Sequence, residues 1–147
     1  MNLFGVLGIS GSALTAERIR AEVVAANMAN AETTRTAAGT PYRRQQVVFA
    51  AGPTGEQNFA SQMLANGSPP QLEGVQVTAV VPDSAAPLRR YDPQHPDADK
   101  DGYVSYPDIN PLTEMVDLMG ATRAYGLNAS AVQATKGMIV SSLEILK

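Results

Sequence analysis

The C-terminal stretch Asn110–Lys147, NPLTEMVDLMGATRAYGLNASAVQATKGMIVSSLEILK, decides the fold because its pattern predicts one long helix. Asn110 is suited to cap the N-terminus, Pro111 suits the first helical position, and Glu114 complements the positive end of the helix dipole. From Met115 onward, apolar residues recur at alternating spacings of three and four, which is the helical period. A helix from Pro111 to the C-terminus would be roughly 55 Å long. A compact globule of this chain length is only about 40 Å across.

The apolar residues of this helix form columns with a spacing of seven, as in helices that pack against other helices. One column is apolar throughout, and its members are Leu118, Tyr125, Val132, Ile139 and Leu146. A second column is apolar mainly at its two ends, and it consists of Met115, Thr122, Ala129, Lys136 and Leu143. Since a helix that is apolar on several sides has to be buried on several sides, the pattern favours a subunit of an assembly. The alternative is a helix that is bent or broken at Gly120, Gly126 or Gly137 and folds back on a small core.

The N-terminal residues 1–33 predict a partner helix for the C-terminal one. Apolar residues again follow the helical spacing, and the series is Ile9, Ala13, Ala16, Ile19, Val23 and Ala26. Leu14 belongs to a second apolar line on a different side of the helix. Three early glycines weaken the first turns, each by about 1 kcal/mol relative to alanine. We expect residues 1–33 and 110–147 to pair as an antiparallel coiled coil.

The middle segment, residues 34–109, has the texture of β-structure instead. Val75–Val81 alternates between two sides in the period of a strand, and Tyr42–Phe49 and Tyr103–Tyr106 are further short strand candidates. Residues 51–74 between them are rich in Gly, Pro, Ser and Asn, which predicts a long loop. The expected fold class is therefore α+β, with a β-rich middle domain inserted between two long terminal helices.

Composition and charge exclude several classes of function. The 147 residues carry a net charge of −3 and include no cysteine and a single histidine. A nucleic-acid-binding protein would show a basic surplus, and a membrane-spanning helix would need about 18 uninterrupted apolar residues. No basic residue precedes Arg18, so a cleaved secretory signal is not expected. The chain also lacks the motifs of nucleotide-binding loops and of acyl-transfer enzymes. We expect no enzyme activity, no cofactor, no nucleic acid and no small-molecule substrate.

An aspartate-rich loop is the sharpest chemical motif in the chain. Asp97, Asp99, Asp101 and Gly102 match the opening of an EF-hand calcium loop. An EF-hand also needs an entering helix and an exiting helix, and the prolines on both sides of the loop oppose these. A solvated turn leading into a strand is therefore favoured, and these three aspartates are kept only as a weak candidate for cation binding. His95 lies in the same loop, where an exposed imidazole is favoured over a metal ligand.

Several segments carry motifs that resemble those of one known family. The segment Val23–Thr34, VVAANMANAETT, is similar to the signature at the end of the first helix in the bacterial flagellar rod and hook proteins. Pro41–Arg44 (PYRR), Tyr91–Asp99 (YDPQHPDAD) and Glu114–Met119 (EMVDLM) resemble the proximal-rod subtype. The resemblance extends over nearly the whole chain and is least typical at residues 51–73. Gly126 stands where the family commonly has Glu.

The resemblance implies a structural, non-enzymatic subunit of the flagellar basal body. Such proteins polymerise through paired terminal helices in an inner tube, while the middle segment forms an outer β-rich domain. The implied partners are copies of the chain, other rod subunits, the membrane-ring junction proteins at the rod base and the flagellar type III export apparatus. The implied location is the basal-body rod within the periplasmic space. A structural role for the aspartate-rich loop weakens the calcium interpretation further.

The residues expected to mediate helix packing and assembly follow from the apolar columns and the signature motif. They are Ile9, Leu14, Ile19, Val23, Asn27, Asn30, Met115, Leu118, Tyr125, Val132, Ile139, Leu143 and Leu146. Asn27 and Asn30 are expected to hydrogen-bond backbone or neighbouring side chains where the first helix ends. Two alternatives stay open at this point, a calcium-binding adaptor and a monomeric helical bundle with a ligand role.

Overall fold

The computed structural model describes residues 3–53 and 73–144, and it has an α+β fold. The elements in chain order are α1 (Leu3–Ala29), β1 (Gln45–Pro53), β2 (Glu73–Pro82), β3 (Leu88–Tyr91), β4 (Tyr103–Tyr106) and α2 (Pro111–Glu144). The two helices pack against each other and the strands lie between them in sequence, which confirms the predicted fold class. Leu146 and most of the predicted Gly- and Pro-rich loop lie outside the described residues. No helix in the described ranges combines the length and apolarity that crossing a membrane requires.

The start of α2 follows the capping chemistry predicted from the sequence. The side-chain Oδ1 of Asn110 accepts a hydrogen bond from the backbone N–H of Leu112 at 3.0 Å. The Asn110 carbonyl accepts from the N–H of Glu114 at 3.1 Å. The helix then continues unbroken to Glu144. The alternative of a helix broken at Gly120, Gly126 or Gly137 is therefore wrong. Each glycine lowers the stability of the helix by only about 1 kcal/mol relative to alanine, which is too little to interrupt it here.

The strands form two pairs, and the register is defined for the second of them. β1 pairs with β2, and β3 pairs with β4 in antiparallel register, with Leu88 opposite Tyr106 and Tyr91 opposite Tyr103. β4 has the predicted bounds, whereas β1 begins at Gln45 rather than at Tyr42. The sequence pattern missed β3. Its residues are exposed on both sides, so they show no alternation of apolar and polar side chains.

The chain divides into two compact units, each of which combines terminal and middle segments. Unit 1 consists of Met1–Ile19, Phe49–Thr78 and Ala121–Lys147, and unit 2 consists of Arg20–Val48 and Ala79–Gly120. In unit 1, Ser12 of α1 is tied to β2, because its Oγ accepts a hydrogen bond from the N–H of Val75 at 3.1 Å. In unit 2 the apolar core is small, and it contains Val24, Val104 and Ile109. The division into segments 1–33, 34–109 and 110–147 stays a prediction.

Candidate functional site

Asn27, near the end of α1, lies at the centre of a buried polar cluster in unit 2. Its side chain is 1% exposed. Its amide group donates to the carbonyl of Gln45 at 2.9 Å and to Oε2 of Glu114 at 3.0 Å. Its Oδ1 accepts from the N–H of Gln45 at 2.8 Å and from the hydroxyl of Tyr42 at 3.2 Å. The side chain therefore uses two donors and two acceptor positions, which is the full capacity of an amide.

Glu114, in the first turn of α2, is the buried charge of this cluster. It is 1% exposed, and its Oε1 accepts from Nε of Arg44 at 2.6 Å. Arg44 also lies 3.5 Å from Asp117, which in turn lies 3.5 Å from Arg20 of α1. The buried carboxylate is thus paired with a guanidinium and hydrogen-bonded by an amide, as a buried charge requires. We refer to Asn27, Tyr42, Arg44, Gln45 and Glu114 together as the polar junction.

Tyr42 experiences both the burial and the charge of the polar junction. Burial raises the pKa of its phenol above the ordinary value of 10.0, and the negative charge of Glu114 raises this pKa further. Both effects disfavour the phenolate. The hydroxyl therefore stays a donor to Asn27 over the whole physiological range of pH.

The two signature asparagines have different roles, although the sequence analysis treated them alike. Asn27 connects α1 to the start of β1 and to α2, as described above. Asn30 acts locally, since its amide donates to the carbonyl of Ala26 at 2.9 Å and its Oδ1 accepts from the hydroxyl of Thr33 at 3.1 Å. Asn30 thus completes the end of α1. Arg44 and Tyr42 were not predicted as members of the junction, and Glu114 was predicted only to complement the helix dipole.

The buried side of α2 is centred on a column that the sequence analysis did not single out. Glu114, Ala121 and Thr135 are each at most 2% exposed, and Asn128 between them is half-buried. These residues are seven apart and mostly polar or small, so a search for apolar residues passes over them. The predicted column is less buried, since Leu118, Val132 and Ile139 are half-buried and Tyr125 is 44% exposed. An interval of seven shared by polar and small residues is the signal that could have found the buried column.

The exposure of the remaining predicted packing residues varies from half-buried to more than half exposed. Ile9, Leu14, Ile19 and Val23 of α1 are half-buried. Met115 and Leu143 of α2 are 48% and 60% exposed.

Large apolar side chains line the side of α2 opposite its buried column. Four of them lie along this side, with the exposed Arg123 between the third and the fourth, and we call them the outer stripe: Leu112, Val116, Met119 and Leu127. Their exposures are 69%, 56%, 55% and 68%, respectively. None of the four was among the predicted assembly residues. A helix that presents leucine, valine and methionine to solvent at helical spacing offers a surface for another protein.

The aspartate-rich loop is organised by internal hydrogen bonds. Oδ1 of Asp99 accepts from the N–H groups of Asp101 and Tyr103, both at 2.9 Å, and Asp99 also pairs with Arg89. The bond from Tyr103 is the main cause that lowers the pKa of Asp99, with the Asp101 bond and Arg89 adding to it. Asp97 accepts from the hydroxyl of Thr34 at 2.8 Å. The loop is therefore an aspartate-stabilised turn that leads into β4, as favoured from the sequence.

Cation binding by this loop receives no support from the arrangement of its carboxylates. Asp97 and Asp99 are directed to different partners, as described above. His95 uses its Nδ1 to accept from the N–H of Asp97 at 3.1 Å, and its ring lies against Tyr106. Across residues 3–53 and 73–144, no group of three or more His, Cys, Asp and Glu side chains is placed to hold a metal ion.

Two family models match the chain at its two helical ends. A model described as flagella basal body rod protein matches residues 7–35, and one described as flagellar basal body rod FlgEFG protein C-terminal matches residues 100–145. The first match covers most of α1 and the asparagine signature. The second covers β4 and α2. Together with two long packed helices and the strands that lie between them in sequence, these matches define the class of flagellar basal-body rod proteins.

Curated relatives narrow the class to one family. The flagellar basal-body rod protein FlgC of Bacillus subtilis is 42% identical over 152 residues, with 100% of both chains covered. FlgC of Borreliella burgdorferi is 39% identical over 154 residues, with 100% of this chain and 99% of the relative covered. FlgC of Salmonella typhimurium is 36% identical over 145 residues, covering 99% and 98%. The chain belongs to the FlgC family of flagellar basal-body rod proteins.

Proposed function

We propose that this chain is a non-catalytic subunit of the proximal rod, which polymerises through its terminal helices to form a torque-transmitting drive shaft. The relatives named above are structural components of the flagellar basal-body rod. The observation that supports polymerisation in this chain is the outer stripe of α2. Because these side chains are more than half exposed in the single chain, they are available to neighbouring subunits.

The outer stripe can supply a substantial association energy. Full burial of one leucine, valine or methionine side chain contributes about 1.5–3 kcal/mol. Large apolar side chains that lie near one another on an exposed helix face are typical of a surface that contacts another protein. We propose that the predicted residues Met115, Tyr125 and Leu143 are also buried on assembly. The half-buried ones, including Leu118, Val132 and Ile139, would serve mainly the pairing of α1 with α2.

We propose that the chain contacts copies of itself, other rod subunits and the membrane-ring junction proteins at the rod base, within the periplasmic space. Export would proceed through the flagellar type III apparatus. In the free subunit we expect the helices to be incompletely ordered, because neighbouring subunits supply part of their burial.

A complementation experiment tests this proposal directly. In cells that lack the native gene, motility is measured with a variant carrying Leu112→Gln, Val116→Gln and Leu127→Gln. The matched control carries Thr113→Gln, Lys136→Gln and Ser141→Gln, which replace three exposed polar residues of the same helix. We expect the control to swim and the stripe variant not to, although both free chains have similar unfolding curves. Normal swimming with the stripe variant would contradict the proposed assembly surface.

A further inference from the structure

The segment between α1 and β1, residues 30–44, is a turn that is closed on itself. We call it the strap. The N–H of Tyr42 donates to the carbonyl of Thr33 at 3.1 Å, and the N–H of Thr36 donates to the carbonyl of Thr40 at 2.9 Å. Gly39 supplies the left-handed conformation of the turn, with φ of 75°. The strap therefore leaves the end of α1 and returns to it within 15 residues.

The closed strap delivers two side chains to the polar junction. Tyr42 donates its hydroxyl to Asn27, and Arg44 donates Nε to Glu114. The backbone of Gln45, the first residue of β1, pairs with the Asn27 amide through both its N–H and its carbonyl. Three separate segments of the chain thus meet at the junction, namely the end of α1, the strap with the start of β1, and the first turn of α2.

Neither helix can satisfy the buried carboxylate of Glu114 without the strap. With the strap open, the amide of Asn27 would be the only described partner left to a carboxylate that is 1% exposed. With α2 undocked, Arg44 would lose its short contact with Glu114, and Asn27 would lose one hydrogen bond. A buried charge that loses its counter-ion is strongly destabilised, so each partial arrangement is penalised.

We propose that the polar junction is a lock in which closure of the strap and docking of the first turns of α2 depend on each other. The dependence is reciprocal, as for any two events that share a coupling free energy. Asn27 and Glu114 act as positioning residues that carry this coupling. The lock goes beyond the proposed rod function, because it is a property of the free chain. It orders the junction before any neighbouring subunit is present.

Hydrogen exchange of the complete free chain, followed by mass spectrometry, tests the lock. Tyr42→Phe removes one hydroxyl from the strap, and this hydroxyl is bonded to Asn27 rather than to α2. We expect exchange in residues 111–118 of α2 to rise about 2–10-fold, as expected for the loss of one hydrogen bond. The matched control is Tyr91→Phe, since Tyr91 lies on β3 and is 68% exposed. It should leave exchange in α2 unchanged.

The reverse perturbation completes the test. Glu114→Gln in α2 should raise exchange in the strap, whereas Asp108→Asn, at an exposed acid just before α2, should not. The lock is overturned if each substitution raises exchange only in its own segment, or if Tyr91→Phe affects α2 as strongly as Tyr42→Phe. If Glu114→Gln prevents folding, Tyr42→Phe alone decides the question. Because the free chain is measured, a failure here is distinguishable from a failure of polymerisation.

Discussion

Replacing Arg44 by methionine tests the energetics of the buried ion pair most sharply. Methionine keeps much of the aliphatic length of arginine but removes the guanidinium that lies 2.6 Å from the carboxylate of Glu114. Glu114 is 1% exposed, so water cannot readily replace the lost partner. Removing one member of a buried ion pair costs about 3–5 kcal/mol. Since Arg44 itself is 25% exposed, we expect a loss of about 3 kcal/mol, near the lower end of that range.

The double variant Arg44→Met/Glu114→Leu separates the loss of the pair from the cost of an orphaned charge. Replacing both members of a buried pair by apolar residues is often nearly neutral. Because Glu114→Leu also leaves one N–H of Asn27 without its acceptor, at a cost of about 1–3 kcal/mol, we expect the double variant to be at least as stable as Arg44→Met alone. Urea unfolding of the free chains, monitored by circular dichroism, measures these differences. Arg35→Met is the control, because Arg35 is 71% exposed at its 3.5 Å contact with Asp97 and should contribute less than about 1 kcal/mol.

Two results would refute this reasoning. If the double variant is less stable than Arg44→Met, the carboxylate of Glu114 does not need its counter-ion. If Arg44→Met costs no more than Arg35→Met, the junction pair behaves as an ordinary surface ion pair.

Three further predictions concern Ser12, Gly102 and Asp99. Ser12→Ala leaves the N–H of Val75 without its described acceptor and should cost about 1–2 kcal/mol in urea unfolding. Gly102→Ala should destabilise the chain by about 1–3 kcal/mol, because φ is 78° there and a Cβ would lie 2.9 Å from the ring of Tyr91. The lowered pKa of Asp99 means that its stabilising contribution is complete above the ordinary value of 3.8 and is lost as the pH falls through the lowered pKa. The protection of the amides of residues 99–103, taken relative to their intrinsic exchange rate at each pH, should therefore fall as the pH drops through the lowered pKa of Asp99, and Asp99→Asn should remove this change.

The long helices were predictable because their signals are local. The cap at Asn110 and the proline that follows it define the start of α2, and the structure places that start at Pro111. The helical spacing of apolar residues revealed α1 despite its early glycines. Residues 103–106 were likewise found as a strand from their composition alone.

The polar junction was not predictable, because it depends on contacts between residues far apart in the chain. Asn27 and Glu114 are 87 residues apart, and Arg44 and Glu114 are 70 apart. A single sequence shows an acid in the first turn of a helix, which the helix dipole already explains. β3 was not predicted because its residues are exposed on both sides. This exposure removes the alternation of apolar and polar residues by which a strand is recognised.

If this chain is an indispensable structural subunit of the rod, its loss has to be visible in electron micrographs of isolated basal bodies. Basal bodies are prepared from cells with the chain, from cells without it, and from cells in which it has been restored. We expect no complete rod without the chain and a normal rod after its restoration. Intact rods in basal bodies that lack the chain would contradict the account.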